Sequence, residues 1–333
     1  MKKNAINGKS LAIFISKNGV LFALVLLWIV MSFASSHFLS MKNFLNLLLQ
    51  ITTPAILGVG MTLVIMTGAI DLSVGSIVAM SGAILAMTFK HFEAAGVTSA
   101  FILIVIPMLL AMGSGTAIGA LNGYMVTKFN IPAFIMTFGT QMMCRSAAYI
   151  VTNSQSISVY PPAMRFLGNA KFFNIIPLPI IISLVMVFVF SVVMKYAKFG
   201  RYVLAFGSNR EALSLSGVNA NRVQFMCYLI NGVICGLMAI ITVGRFNVLS
   251  AITGTGYEMD AIAAVIVGGT SINGGSGSII GTLIGAMFIG TIRNSLNLLD
   301  VSSSVQPLII GLVMVVAVLF DMIQKKKIAK QNM

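Results

Sequence analysis

The chain has 333 residues, of which 58% are hydrophobic and only 8% are charged, and its mean hydropathy is +1.00. Soluble globular domains carry charged side chains at about 25% of positions, so this composition excludes a soluble globule and indicates a polytopic membrane protein. The net charge of +14 is compatible with nucleic-acid binding, but the Lys and Arg residues are separated by apolar runs instead of clustering with aromatic residues. We therefore expect a lipid bilayer, and no nucleic acid, around this chain.

Ten apolar runs predict an all-α fold with about ten transmembrane helices. Around 20 apolar residues cross a hydrocarbon core, and several of these runs are shorter or are interrupted by glycine. For the first run a cleavable signal peptide is the alternative, and we favour a retained span because no exported domain follows it. The runs lie near residues 19–39, 50–68, 75–89, 99–122, 131–152, 175–194, 223–244, 258–269, 277–297 and 303–322.

The basic residues predict the orientation of these spans. With ten spans and a cytoplasmic N-terminus, 14 of the 21 Lys and Arg residues fall on the cytoplasmic side, as the positive-inside rule requires. We therefore expect both termini in the cytoplasm. The predicted organisation is an N-terminal tail (1–18), a single transmembrane domain (19–322) with a cytoplasmic loop at 195–222, and a basic tail (323–333).

A polar, basic interval at 195–224 separates two apolar runs. Ser208 and Glu211 have the spacing of a capping box, which predicts a helix that begins at Asn209. Gly217 suits a left-handed C-terminal position, so the helix has about two turns. So short a helix is unstable alone in water, which favours a segment that docks on a partner over an ordinary solvated loop. The interval carries five cations, Lys195, Lys198, Arg201, Arg210 and Arg222.

Two sets of glycines recur every fourth residue, and we interpret both as sites of close helix packing. Residues four apart share a helix face, and glycine lets helix backbones approach each other in lipid. The sets are Gly115, Gly119 and Gly123, and Gly277, Gly281 and Gly285.

Two Gly/Ser-rich breaks, within residues 64–77 and 265–279, are similar to each other. In each, an apolar run enters the break, and Gly-Ser-Ile then opens a new helix. Paired interrupted segments in two halves of a chain indicate a transport core built from repeats, and chance similarity is the alternative.

Several polar side chains within the apolar runs are candidates for lining a translocation path. A guanidinium in a membrane span is costly unless it is paired, wet or snorkelling, so Arg145 either lines a hydrophilic path or snorkels to the surface. Thr137, Gln141 and Tyr149 share its helix face at four-residue spacing. Asn122 and Asn231 are isolated amides that line the path or bond to neighbouring helices.

Asp71 and Gly75 lie between two apolar runs, and we interpret them as a structural turn. An aspartate there can cap the next helix and complement its dipole. Gating or coupling to an ion is the alternative role for Asp71.

The sequence predicts no catalytic, metal-binding or cofactor-binding residues. Its three cysteines have no metal-ligand spacing, and its two histidines are isolated. Gly8-Lys9-Ser10 resembles the end of a phosphate loop, but the position five residues before Gly8 is Lys3 instead of the required glycine. An ATPase or hydrolase activity of the chain itself is therefore disfavoured.

Several motifs in order resemble the ribose-type permeases, the membrane subunits of bacterial ATP-binding-cassette importers for monosaccharides. The resemblance runs from about Phe44 to Asp321. The motifs are Gly68-Ala-Ile-Asp-Leu-Ser-Val-Gly-Ser76, Leu121-Asn-Gly123 followed by Ile131-Pro-Ala-Phe-Ile135, Gly207-Ser-Asn-Arg-Glu-Ala212 with Ser216-Gly217, and Tyr257-Glu-Met-Asp-Ala-Ile-Ala-Ala264 with Gly268-Gly-Thr-Ser271.

The resemblance implies a permease subunit in a bacterial inner membrane, with a second permease copy, a cytoplasmic ATPase and an extracytoplasmic sugar-binding protein as partners. It assigns ATPase coupling to Arg210, Glu211, Ala212 and Gly217. Ribose is one expected cargo, and another sugar, a polyol, a nucleoside or autoinducer-2 is an alternative. A self-sufficient, ion-coupled secondary transporter is the alternative from another class.

Overall fold

The computed structural model describes residues 19–158, 160–302, 304–313, 315–316 and 319. Both predicted tails, 1–18 and 323–333, therefore lie outside the described residues. The described residues are predominantly helical, as the composition predicts. They form two compact units: one comprises the residues up to Ile51 together with those from Met287 onward, and the other is Thr52–Ala286.

The helices follow the apolar runs in order. In the first half these are α1 (Gly19–Ala34), α2 (Met41–Met66), α3 (Val74–Ala94), a π-helix (Phe101–Val105) that leads into α4 (Ile106–Lys128), and α5 (Ala133–Val151). The short α6 (Phe166–Asn169) then precedes α7 (Leu178–Tyr196), α8 (Lys198–Ser208), α9 (Arg210–Leu215), α10 (Ala220–Phe246), α11 (Tyr257–Val267) and α12 (Ile279–Leu298). Residues 306–313 are also helical.

Six helices among the described residues are long and apolar enough to cross a membrane: α2, α3, the π-helix continued by α4, α7, α10 and α12. α1 has only 16 residues, α11 has 11, and α5 contains Arg145. The expected count of about ten spans thus remains a prediction, although each predicted run contains helical residues.

Loop segments between the helices form two small antiparallel β-ribbons. β1 (Ile157–Ser158) pairs with β4 (Val248–Leu249), with Ile157 opposite Leu249. β2 (Lys171–Phe172) pairs with β3 (Ile176–Pro177). The first ribbon ties the segment after α5 to the end of α10.

The core of the Thr52–Ala286 unit is built around α10, which packs lengthwise on α4. Close approach is possible because glycines meet there: a Cβ atom built on Gly119 would lie 2.5 Å from the Tyr228 carbonyl oxygen and 2.8 Å from Gly232 Cα. A Cβ atom on Gly115 would lie 2.6 Å from the carbonyl oxygen of Gly232. The packing role predicted for this glycine set is therefore confirmed for Gly115 and Gly119.

The second glycine set also marks close packing. A Cβ atom on Gly285 would lie 2.8 Å from the Gly268 amide nitrogen, and one on Gly281 would collide with the carbonyl oxygen of Gly268. A Cβ atom on Gly277 would lie 2.7 Å from the Thr270 side chain. α12 therefore starts in direct backbone contact with the end of α11.

In the other unit, an aromatic cluster and an amide pair connect α1, α2 and α12. The Trp28 indole donates a hydrogen bond of 3.1 Å to Thr291 Oγ1, and its ring meets Phe38 edge-on at a centroid distance of 6.0 Å. Asn43 and Asn294 exchange two amide hydrogen bonds of 3.1 and 2.9 Å. Such reciprocal amide pairs satisfy polar groups that would otherwise be costly in lipid.

Candidate functional site

The basic interval at 195–224 contains two helices, α8 and α9, where the sequence predicted a loop with one short helix. α8 was missed because basic residues and glycines interrupt its apolar positions; it buries Gly200, Val203 and Phe206 and turns its other side chains outward or partly outward. This spacing of three residues is that of a narrow helical stripe. α8 thus anchors the interval to α2 and α10.

The predicted N-cap of the docking helix was wrong by one residue. Ser208 donates its hydroxyl to the Leu204 carbonyl oxygen and ends α8. Asn209 is extended (φ −161°, ψ 99°), and its side-chain oxygen accepts the Ala212 amide at 2.9 Å, which makes it the N-cap of α9. Both residue types are favoured at N-caps, and the backbone decides between them.

α9 is short and almost fully exposed. It has six residues and buries only Leu213, whereas Glu211 and Ala212 point outward. Arg210 donates a hydrogen bond of 2.7 Å to Asn221 Oδ1. Gly217 follows with φ +84° and open space where a Cβ atom would be, as its predicted left-handed role requires.

The end of α8 rests on both predicted breaks in the chain. A Cβ atom on Gly207 would collide with the Met66 carbonyl oxygen, where α2 ends, and with the Gly275 amide nitrogen. Gly275 in turn donates its amide to the Met66 carbonyl at 2.9 Å. The two breaks also have similar backbones, because Gly68 and Gly269 adopt φ +74° and +89° two residues after their helices end. A displacement of α8 would therefore act on both breaks.

Asp71 lies in the first break and is completely buried. Its Oδ1 accepts the Ser73 amide at 2.9 Å and the Ser73 hydroxyl, and its Oδ2 accepts Asn231 Nδ2 of α10 at 2.9 Å. The N-cap of α3 is Ser73, so Asp71 stabilises the start of this helix through Ser73 instead of occupying the cap itself. The predicted capping position of Asp71 was therefore two residues too early.

The polar network continues from Asp71 into α4 and α5. Asn122 Nδ2 donates to the Ser73 hydroxyl at 3.0 Å, and Thr140 donates to Asn122 Oδ1 at 2.6 Å. Thr137 donates to its own helix at Ala133 and, at 3.3 Å, to the Ile70 carbonyl. The break between α2 and α3 is thus fastened to α4, α5 and α10. Of the candidate path residues, Asn122, Thr137 and Asn231 meet here, all at 0% exposure.

Two polar atoms beside this network have no hydrogen-bond partner among the described residues. They are Asn231 Oδ1, which faces Gly60, and the hydroxyl of Tyr228, three residues earlier on α10. A buried polar group that stays unpaired costs about 1 to 3 kcal/mol.

Gln141 and Arg145, the other two path candidates, form a second polar cluster with the segment after α10. Arg145 Nη1 donates to the carbonyl oxygens of Ala251 and Thr253, the latter at 2.7 Å. Gln141 Nε2 lies 3.4 Å from Glu258 Oε1. Both side chains remain partly exposed. Arg145 thus holds the segment after α10 through two backbone carbonyls. This structural role is a third possibility for Arg145, besides path lining and snorkelling.

Gly75 adjoins this second cluster. A Cβ atom on Gly75 would collide with the Gly254 carbonyl oxygen and with Glu258 Oε2. Glycine is therefore required in the first turn of α3 because the loop before α11 crosses it there. The structural role predicted for Gly75 thus has a steric basis in this contact.

Residues 43–318 match the family of permease components of the branched-chain amino acid transport system. The chain belongs to this permease family. It is 37% identical over 309 residues to the ribose import permease protein of Escherichia coli K12, covering 90% of this chain and 92% of that relative. No solved structure matches the chain.

Other permeases with similar coverage are named for more than one sugar. The ribose import permease protein of Haemophilus influenzae is 38% identical over 329 residues, covering 96% of this chain and 98% of the relative. The D-allose transport system permease protein of Escherichia coli K12 is 32% identical over 321 residues, covering 95% and 94%. The predicted resemblance to ribose-type permeases is therefore confirmed. The chain is a multi-pass membrane transport subunit of the permease type.

The role of Asp71 can be tested by two substitutions. Asp71→Ala removes the acceptor of three donors and leaves buried polar groups unpaired, at about 1 to 3 kcal/mol each, so we expect a clear loss of thermal stability in detergent. Asp71→Asn keeps the shape of the side chain, and rotation of the Asn231 amide would pair the new group. We expect this variant to fold and to transport. Folded protein with abolished transport would instead assign Asp71 to ion coupling.

The role of Arg145 can be tested separately. Arg145→Leu leaves the Ala251 and Thr253 carbonyls without their donor, and hydrogen bonds to charged groups contribute about 1.5 to 3 kcal/mol. We expect faster proteolysis within residues 247–256 and unchanged association with an ATPase subunit. Met142→Ala, an exposed position on the same helix, is the control. Reduced transport with an unchanged proteolysis rate would favour path lining over this structural role.

Proposed function

We propose that this chain is the membrane-spanning subunit of a binding-protein-dependent importer that moves a monosaccharide, such as ribose, into the cell. The observation that carries this proposal is the near full-length similarity to ribose import permeases. The relative named for D-allose makes another sugar of similar size the second candidate cargo.

The exposed helix α9 is the proposed docking site for the ATPase of this importer. A six-residue helix with a defined N-cap and a left-handed Gly217 after it is strongly specified, yet too short to be stable alone. Glu211 and Ala212 present the exposed surface, with Arg210 held by Asn221 at its base. An autonomous secondary transporter has no need of such a helix, so it remains the less favoured alternative.

The remaining components follow from the same proposal. The chain would cross a bacterial inner membrane about ten times with both termini in the cytoplasm, beside a second permease copy. An extracytoplasmic protein would deliver the sugar. We place Gln141 on the side of the permeation path because its side chain keeps exposed surface, whereas Arg145 holds the segment after α10 and Asn122, Thr137 and Asn231 support the bundle.

The contacts suggest how ATP hydrolysis is coupled to the path. Movement of α9 displaces α8, whose end lies on Met66 and Gly275 in the two breaks. The first break carries Asp71, which is bonded to α10, and Ser73, which is bonded to α4. A ligand shifts a two-state equilibrium only through contacts that differ between the states, and the docked ATPase supplies such contacts.

The direct test is uptake of labelled ribose by cells with and without the cognate ATPase. Uptake that requires the ATPase would support both the mechanism and the cargo. Uptake that is indifferent to the ATPase would contradict the importer. Absence of ribose uptake together with ATPase-dependent uptake of labelled allose or arabinose would change only the cargo.

A further inference from the structure

A pocket of about 270 Å³ lies between three helix ends and α8. It is lined at the end of α2 by Met66, at the end of α7 by Ser191 and Lys195, on α8 by Leu204, and in the first turn of α12 by Ile280. α2, α7 and α12 are all candidate membrane spans, and each begins or ends here. The pocket therefore opens where these spans meet the membrane surface.

One side of the pocket is suited to an anion. Lys195 is exposed there, and the start of α12, a helix of 20 residues, lines the pocket with the positive end of its dipole; the Gly281 amide of this turn is bonded to Ser278 Oγ. Two hydroxyls lack a hydrogen-bond partner within the described chain: Ser191 Oγ in the lining, and Oγ1 of Thr270, which is only 3% exposed. The Thr270 hydroxyl lies next to Gly277 of the lining: a Cβ atom built on Gly277 would be 2.7 Å from Thr270 Oγ1.

The rest of the lining is apolar. Met66, Met194, Leu204 and Ile279 contribute hydrocarbon surface next to the cationic side. A free inorganic anion would leave this surface unused. An amphiphile with a phosphate at one end would contact both the cationic and the apolar side of the pocket. Each juxtamembrane lysine contributes about 1 kcal/mol to the binding free energy of anionic lipids.

We propose that this pocket binds an anionic phospholipid, with the phosphate at Lys195 and the first turn of α12 and the start of the acyl chains against Met66 and Leu204. Ser191, four residues before Lys195 and thus on the same face of α7, is placed to donate its free hydroxyl to the headgroup. The bound lipid would join α7, α8 and α12.

The test is native mass spectrometry of the purified full-length chain with phosphatidylglycerol and, separately, phosphatidylcholine. We expect wild-type protein to retain phosphatidylglycerol in preference to phosphatidylcholine. Lys195→Gln should weaken phosphatidylglycerol binding about fivefold, and Ser191→Ala should weaken it to a smaller extent. Lys198→Gln is the matched control, because Lys198 is an exposed cation three residues away that does not line the pocket.

Three outcomes would overturn the assignment. Equal losses in the Lys195 and Lys198 variants would mean that only general surface charge attracts the lipid. No loss in either variant would mean that Lys195 does not hold the lipid. Displacement of phosphatidylglycerol by excess inorganic phosphate would identify a site for free anions instead of lipid. Neither readout depends on transport, so the result is independent of the cargo and of the ATPase.

Discussion

Replacing Glu211 by Lys is expected to abolish ATPase association and uptake while the permease still inserts and folds. Glu211 is exposed in the first turn of α9, and the side chain makes no hydrogen bond or ion pair among the described residues. Reversing its charge changes the proposed docking surface directly. It also places a cation at the positive end of the helix dipole, which costs about 0.3 to 1 kcal/mol. Co-purification with the ATPase and uptake of labelled sugar measure the effect.

Glu93→Lys is the control for this substitution, since Glu93 is an exposed acid whose 2.8 Å ion pair with Lys90 is a surface pair of little energetic value. It should leave ATPase association unchanged. Normal uptake without ATPase association in the Glu211 variant would count strongly for a secondary transporter, whereas normal ATPase association would place the docking site elsewhere.

Replacing Gly119 by Ala is expected to destabilise the whole permease core. The added methyl would lie 2.5 Å from the Tyr228 carbonyl oxygen and 2.8 Å from Gly232 Cα, and both are backbone atoms that move only if α4 and α10 separate. Overpacking of this kind costs about 1 to 3 kcal/mol. Thermal unfolding followed by size-exclusion chromatography in detergent should show a lower apparent Tm.

Gly113→Ala on the same helix separates this packing effect from helix propensity. A Cβ atom on Gly113 meets no atom within 4 Å, and alanine is the better helix former by about 1 kcal/mol. Its apparent Tm should be equal to or above the wild-type value. A Gly119 variant as stable as the Gly113 variant would refute the packing of α4 against α10.

Local signals in the sequence were sufficient for the position of α9 but not for its boundaries. Gly217 and the polar composition predicted where the helix lies, and Gly217 has the expected left-handed φ. The cap was misplaced because Ser208 and Asn209 are both good N-cap residues. They are distinguished by the bond from Ser208 to Leu204 within α8 and by the extended backbone of Asn209.

The polar network around Asp71 could not be predicted from the sequence. Asn231 is 160 residues from Asp71, and Asn122 is 49 residues from Ser73, so tertiary packing alone brings these groups together. Thr140 was overlooked because an isolated hydroxyl in an apolar helix usually bonds to its own backbone, and Ser73 because Asp71 was the favoured capping residue of the break. Gly232 and Gly236 of α10 were a usable signal for the packing of α4 on α10. They have the same four-residue spacing as the predicted sets and lie opposite Gly115.

The central claim, ATP-driven sugar import through this permease, is tested most directly in proteoliposomes. Vesicles would contain the permease, its ATPase and the sugar-binding protein, with labelled sugar outside and no ion gradient. The account predicts that sugar accumulates only when ATP is supplied on the side of the ATPase. Accumulation driven by an ion gradient in vesicles that contain the permease alone would contradict it.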